Sequence, residues 1–161
     1  MIDLTISVLP AAPLHVCEIW GEPTAVTARF AAEFGFALPA MGRSAGTDVL
    51  RMIRYEPTVW LVEGDAAALP AVLADDGALT AIGGGTARVG LAGAGWRTLL
   101  MYGGVFDAEN LSFKSECSAT TIIEHVNVRL HVIDGATCHA YIPASFSAEL
   151  IEFWKQTATI L

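Results

Sequence analysis

Two glycine-rich stretches are the first candidates for chemistry, because backbone N–H groups at a helix start can cradle a phosphate. They are Gly83-Gly84-Gly85 and Gly90-Leu91-Ala92-Gly93-Ala94-Gly95, surrounding a strand pattern and opening a helix pattern. A dinucleotide fingerprint requires the order G-x-G-x-x-G. The order here is G-x-x-G-x-G, and no Gly-Lys-Ser/Thr closes a P-loop. These glycines therefore read as turns and a helix start between packed elements.

Metal and nucleophile chemistry come next. His125, His131 and His139 gather in the last third, beside Cys138. With Asp134-Gly135 as a two-residue turn, His131 would face Cys138 across a hairpin and His139 would face Leu130. One His and one Cys are half of a structural zinc set. Glu124 or Cys117 would have to complete it, and their spacing does not ask for that. Cys17, Cys117 and Cys138 each lack a neighbouring motif, no G-x-S-x-G elbow occurs, and Ser145 reads as a helix cap. Asp75-Asp76 falls at a helix end and reads as solvated. The expectation is no catalytic residue and no metal set, with no cofactor-binding residue assigned. Trp96 and Trp154 fit the inward faces of helices, and an interface anchor is the other use for the four tryptophans, which include Trp20 and Trp60.

Composition narrows the function classes. The chain has 161 residues, 53% apolar and only 16% charged, against about 25% charged in an average soluble domain. That excludes a disordered chain. The length suits a single domain over residues 1–161, or two small halves sharing a core. Nine basic against seventeen acidic residues give a net charge of −8, and the basic ones form no run. No nucleic-acid partner and no membrane partner is expected from such a charge distribution. The uncharged stretch over residues 4–17 is broken by Pro10 and Pro13 and too short to span a bilayer. An odd number of unpatterned cysteines points to a reducing, cytoplasmic setting. High apolar content without a membrane span implies surface buried against another protein chain.

The elements that must position these residues follow from periodicity. Residues 2–9 read as a strand ended by Pro10, and residues 10–21 as a connection. Glu22-Pro23-Thr24 opens a helix whose Val26, Phe30 and Phe34 share a face before Gly35 stops it. Residues 36–46 read as loop. Strands over 49–55 and 58–62 meet at a Glu56-Pro57 reversal, and Asp65 caps a short helix running to Ala74. Short strands at 79–82 and 86–91 precede a helix carrying Trp96, Leu99 and Leu100. Strands at 117–126, 127–133 and 137–142 lead to a closing helix with Leu150, Ile151 and Trp154 inward. The order predicts an α+β fold: mixed or antiparallel sheets with helices on one face.

Residues 60–154 resemble the gamma subunit of heterotetrameric sarcosine oxidase. The matching pieces are Trp60-Leu61-Val62-Glu63-Gly64, Thr86-Ala87-Arg88-Val89-Gly90-Leu91-Ala92-Gly93 and Trp96-Arg97-Thr98-Leu99-Leu100. Gly104-Val105-Phe106-Asp107, Cys117-Ser118-Ala119-Thr120 and Tyr141-Ile142-Pro143-Ala144-Ser145-Phe146-Ser147 continue them in order. Ala144 stands where the family usually has Arg. The resemblance implies ferredoxin-like units similar to the folate-binding domain of aminomethyltransferases. It also implies a small subunit of an oxidoreductase complex without catalytic residues of its own. FAD, FMN, NAD and tetrahydrofolate would then sit in larger flavoprotein subunits, which would demethylate sarcosine oxidatively. Alone, such a chain is expected to form a homo-oligomer. The alternatives are a stand-alone folate or small-molecule-binding domain and, further off, an enzyme using Cys138 or a zinc at His131.

Overall fold

The computed structural model describes residues 2–161. They divide into two compact units, one continuous over Ala12–Gly83 and one assembled from residues 2–11 with Gly84–Leu161.

The continuous unit starts with strand β2 (Leu14–Ile19), following β1 (Thr5–Val8) of the other unit. Helix α1 (Pro23–Phe34), strands β3 (Ser44–Gly46), β4 (Leu50–Glu56) and β5 (Val59–Gly64), helix α2 (Leu69–Leu73) and strand β6 (Gly77–Ala81) complete it. Its antiparallel sheet runs β3-β4-β5-β2-β6. Without β3 this is the split β-α-β-β-α-β arrangement. Alternation on β2, β4 and β5 turns Cys17, Ile19, Met52, Trp60 and Val62 toward Val26 and Phe30 of α1 and Leu69 and Leu73 of α2.

Helix α1 begins and ends as its residues dictate. The Glu22 carboxylate accepts the Thr24 N–H at 3.3 Å. Pro23 occupies the first turn, where no donor is lost, and Gly35 closes the helix with φ +74°. Arg29 then ties α1 to the C-terminal end of α2. It donates to the Val72 carbonyl at 2.8 Å, to the Leu73 carbonyl at 3.3 Å and to the Asp76 carboxylate at 2.6 Å.

The second unit repeats the plan. Strand β7 (Thr86–Ala92), helix α3 (Trp96–Met101), strands β8 (Ser118–Ile123), β9 (Val126–Asp134) and β10 (Thr137–Pro143) and helix α4 (Ala144–Ile160) follow in order. Its sheet runs β1-β7-β10-β9-β8, all antiparallel. Read from the other edge, β8-β9-β10-β7-β1 matches β3-β4-β5-β2-β6 strand for strand. The outermost place that β6 fills in one unit is filled in the other by β1, from the start of the chain. Trp96, Leu99 and Leu100 of α3 and Leu150 and Trp154 of α4 cover Val89, Leu91, Val128, Leu130 and Cys138.

Several expectations need correction. Residues 10–21 contain a full strand, β2, because pairing to both β5 and β6 holds it while Pro10 and Pro13 stay outside it. Residues 36–46 end in the short strand β3. The β4–β5 reversal is Pro57-Thr58, one residue later than expected, since Glu56 still pairs with Val59. Asp65 accepts the Ala67 N–H at 3.0 Å and makes a local turn, and α2 begins four residues on, after Ala68. Ser145 lies inside α4, whose cap position is Pro143. The strands expected over 117–126 and 127–133 are separated instead by a Glu124-His125 turn, with β9 starting at Val126.

Candidate interaction site

The glycine pattern turns out to be shaped for the chain's own start. Gly95 donates its N–H to the Asp3 carbonyl at 2.9 Å, and Ala94 donates to the Asp3 carboxylate at 3.4 Å. Gly93 has φ +109°, and a Cβ there would collide with the Asp3 backbone. A Cβ on Gly95 would collide with Ile2. The N–H groups of Ala94 and Gly95 are thus taken by Asp3. Gly83–Gly85 forms one turn of 3-10 helix ahead of β7.

The histidines and Cys138 do not converge as expected. The β9–β10 turn is Gly135-Ala136, fixed by the Asp134 carboxylate accepting the Ala136 N–H at 2.8 Å. The ladder also slips between Thr137 and Cys138. Together these place Cys138 opposite Val132 and His139 opposite His131, so the expected His131–Cys138 pair does not exist. Cys138 points into the core, while His131 is buried on the other face. His125 sits in the exposed β8–β9 turn. Among the described residues no three His, Cys, Asp or Glu side chains gather as a metal set. Burial pushes the Cys17 and Cys138 thiols up to about 12, which makes them poor nucleophiles. Asp75 is exposed, whereas Asp76 is held by Arg29. No helix among the described residues is long and apolar enough to cross a membrane.

Sequence reasoning missed the polar face of the second sheet. Arg129 and His131 alternate with the core residues Val128, Leu130 and Val132 along β9. Cross-strand pairing then sets Ser118, His131, His139 and Gly90 in one row, and Thr120, Arg129, Tyr141 and Arg88 in the next. The strict alternation in β9 was the available signal, hidden by the displaced turn.

The most exposed large apolar side chains of the second unit lie on the connection between α3 and β8, residues 102–117. Val105 and Leu111 are 89% and 92% exposed. A connection of this length without regular structure is uncommon in a small domain and usually serves binding. This one is held firmly. Arg97 donates to the Ala108 carbonyl at 2.6 Å and the Phe113 carbonyl at 2.7 Å, with its guanidinium 4.2 Å from the centre of the Trp96 ring. Phe113 packs edge-on against both Phe106 and Trp96. Gly104 bridges to Ile123, which sets Val105 beside the half-exposed Ile122. An ordered segment presenting apolar side chains is suited to contact another chain, because little entropy remains to be lost on association.

The continuous unit carries a cleft of about 220 Å³ lined by Ile19, Leu38, Trp60, Arg54 and both residues of the Pro57-Thr58 turn. Arg54 already donates to the Glu56 and Pro57 carbonyls and lies over the Trp60 ring. Its planar group therefore serves the β4–β5 turn.

Two antiparallel units of one strand order, the continuous one a split β-α-β-β-α-β arrangement, define the class, an α+β fold of the aminomethyltransferase folate-binding type. The structure superposes with a TM-score of 0.61 on the glycine cleavage system aminomethyltransferase T of Bartonella henselae, at 13% identity. That match covers 95% of this chain and 45% of the other, so the chain spans less than half of the aminomethyltransferase. A likeness of higher score is to a chain of the heterotetrameric sarcosine oxidase of Corynebacterium sp. U-96, solved with pyrrole 2-carboxylate. The TM-score is 0.82 at 18% identity, over 94% of this chain and 81% of that one. By sequence, no family model and no curated protein matches.

Proposed function

We propose that this chain is the small, non-catalytic subunit of a flavin-dependent sarcosine oxidase-type complex. In this reading the larger flavoprotein chains carry FAD, FMN, NAD and tetrahydrofolate and perform the oxidative demethylation of sarcosine. The observation that carries it is the agreement of fold, over 94% of this chain and 81% of the other, with a chain of a protein described as a heterotetramer. The ordered α3–β8 connection, with Val105 and Leu111 outward, supports it by offering a surface that another chain could cover. Three buried thiols suit a cytoplasmic setting. Alone, the chain hides the same apolar surface by homo-oligomerising.

Co-expression with alpha- and beta-like flavoprotein chains tests the reading. Co-migration on size exclusion with light scattering is the expected result. A monodisperse monomer that ignores those chains overturns it. The aminomethyltransferase likeness favours a second reading, a stand-alone folate or small-molecule-binding domain. A thermal-shift series with folates separates the two, because a ligand that binds the native state raises its stability by mass action. No shift at any concentration removes that second reading.

A further inference from the structure

The outer edge of β6 is a row of backbone groups open to an added strand. Trp20 donates its N–H to the Asp76 carbonyl and Ile82 donates to the Leu14 carbonyl, both at 2.9 Å. Hydrogen bonds to β2 therefore fall at the even positions, including Ala78 and Thr80, which pair with Glu18 and Val16. The N–H and C=O groups of Gly77, Leu79 and Ala81 face the other way. Among the described residues nothing hydrogen-bonds to Leu79 or Ala81 on that side. Edge strands are ordinarily blunted by a charge, a proline or a bulge. Gly77-Ala78-Leu79-Thr80-Ala81 has none of these.

One end of this edge is acidic. Glu18, Glu22 and Asp75 are all exposed, and among the described residues no cation pairs with them. The fourth carboxylate, Asp76, is already neutralised by Arg29 at 2.6 Å. Trp20 stands at the same end with 60% of its surface exposed, a large indole near three carboxylates that no cation offsets among the described residues. An indole face attracts cations, and tryptophan is a frequent anchor at interfaces.

We propose that β6 receives an extended, basic segment of a partner polypeptide, which joins the sheet as a sixth strand with its lysines or arginines at the Trp20 end. Main-chain hydrogen bonds to Leu79 and Ala81 supply the pairing, and the carboxylates select the charge. A second copy of this chain fits less well. Antiparallel self-pairing centred on Leu79 sets Asp75 against Gly83, which offers no cation, and parallel self-pairing sets Asp75 against itself. The proposal does not depend on the sarcosine oxidase reading.

The test uses the full chain, isotope-labelled, with a capped peptide of alternating lysine and valine and a glutamate–valine peptide as control. The lysine peptide is expected to slow amide exchange at Leu79 and Ala81 by about tenfold or more, leaving Ala78 and Thr80 unchanged. Ala81→Pro removes only an outward N–H and is expected to weaken binding by about tenfold. Should that variant unfold, the surface variants Trp20→Ala and Asp75→Asn carry the test, each expected to weaken binding severalfold. The proposal is overturned if the lysine peptide does not bind, if the glutamate peptide binds equally, or if these variants bind as wild type does. It is also overturned if Leu79 and Ala81 become protected with rising protein concentration and no peptide, which would make a second copy the occupant.

Discussion

Arg97 shows how one side chain can hold a long connection in place. Its two hydrogen bonds reach carbonyls of Ala108 and Phe113, and its planar face lies over Trp96. Charged hydrogen bonds contribute about 1.5–3 kcal/mol each, so Arg97→Ala should destabilise the protein by about 2–4 kcal/mol in urea unfolding. Arg97→Lys should rescue little, because one ammonium cannot reproduce a planar fork reaching two carbonyls. Limited proteolysis should then cut residues 102–117 first.

Asp76 gives a pH-dependent counterpart. The Arg29 hydrogen bond holds its carboxyl below the usual range, against an opposing effect of partial burial, with help from the Glu22 backbone and the Arg29 charge. A depressed native value means stability that is present above about pH 3.9 and lost as the pH falls through the native value. Urea midpoints measured from neutral to acid pH should therefore fall less steeply in Asp76→Asn than in wild type. The thiols behave oppositely. Cys17 and Cys138 titrate near 12 when folded, so the stability their burial confers is present below about pH 8.5 and declines above it. Iodoacetamide should label both only after unfolding, and labelling of the native protein would contradict their burial.

At the scale of elements, the β8–β9 hairpin turns on two residues poorly suited to its backbone. Glu124 and His125 have φ of +45° and +60°, the left-handed conformation of a primed turn that Asn-Gly adopts more readily. The double substitution Glu124→Asn with His125→Gly should stabilise the protein by about 0.5–1 kcal/mol, read as a higher urea midpoint. The backbone bond from Glu124 N–H to the Gly103 carbonyl survives such a change. This turn was not legible in the sequence, because neither residue is a usual turn former and β-branched residues flank it. Helix α1 was legible to the residue, since Glu22, Pro23 and Gly35 each act locally. Strand β2 was not, because its identity comes from two neighbours distant in sequence rather than from its own alternation. The β9–β10 turn was misplaced by one residue, and that single shift moved His131 from opposite Cys138 to opposite His139. Exposed apolar residues such as Val105 and Leu111 carry no sequence mark separating them from core residues of the same type.

At the scale of the whole molecule, the shared strand order raises a question of closure. The continuous unit obtains its outermost strand, β6, from the segment directly after α2. The other unit takes β1 from the opposite end of the chain, pairing Thr5 with Ala92 and Val8 with Val89. Closing so long a loop costs entropy before the pairing returns any stability. Ile6 and Leu4 offset that cost by packing on the second core, as does Asp3 by bonding Gly95. Because Leu9 N–H reaches the Arg88 carbonyl, the even positions of β7 face β1 and the odd ones face β10. Deleting residues 2–9 should therefore speed amide exchange at Arg88, Gly90 and Ala92, while Val89 and Leu91 keep the protection that β10 gives them. The freed edge of β7 is unpaired and should make the shortened chain aggregate at concentrations where the full chain does not. Equal loss of protection at all five amides would show that β1 is needed to form the β7–β10 pair itself, and that this unit folds only after β1 has met β7.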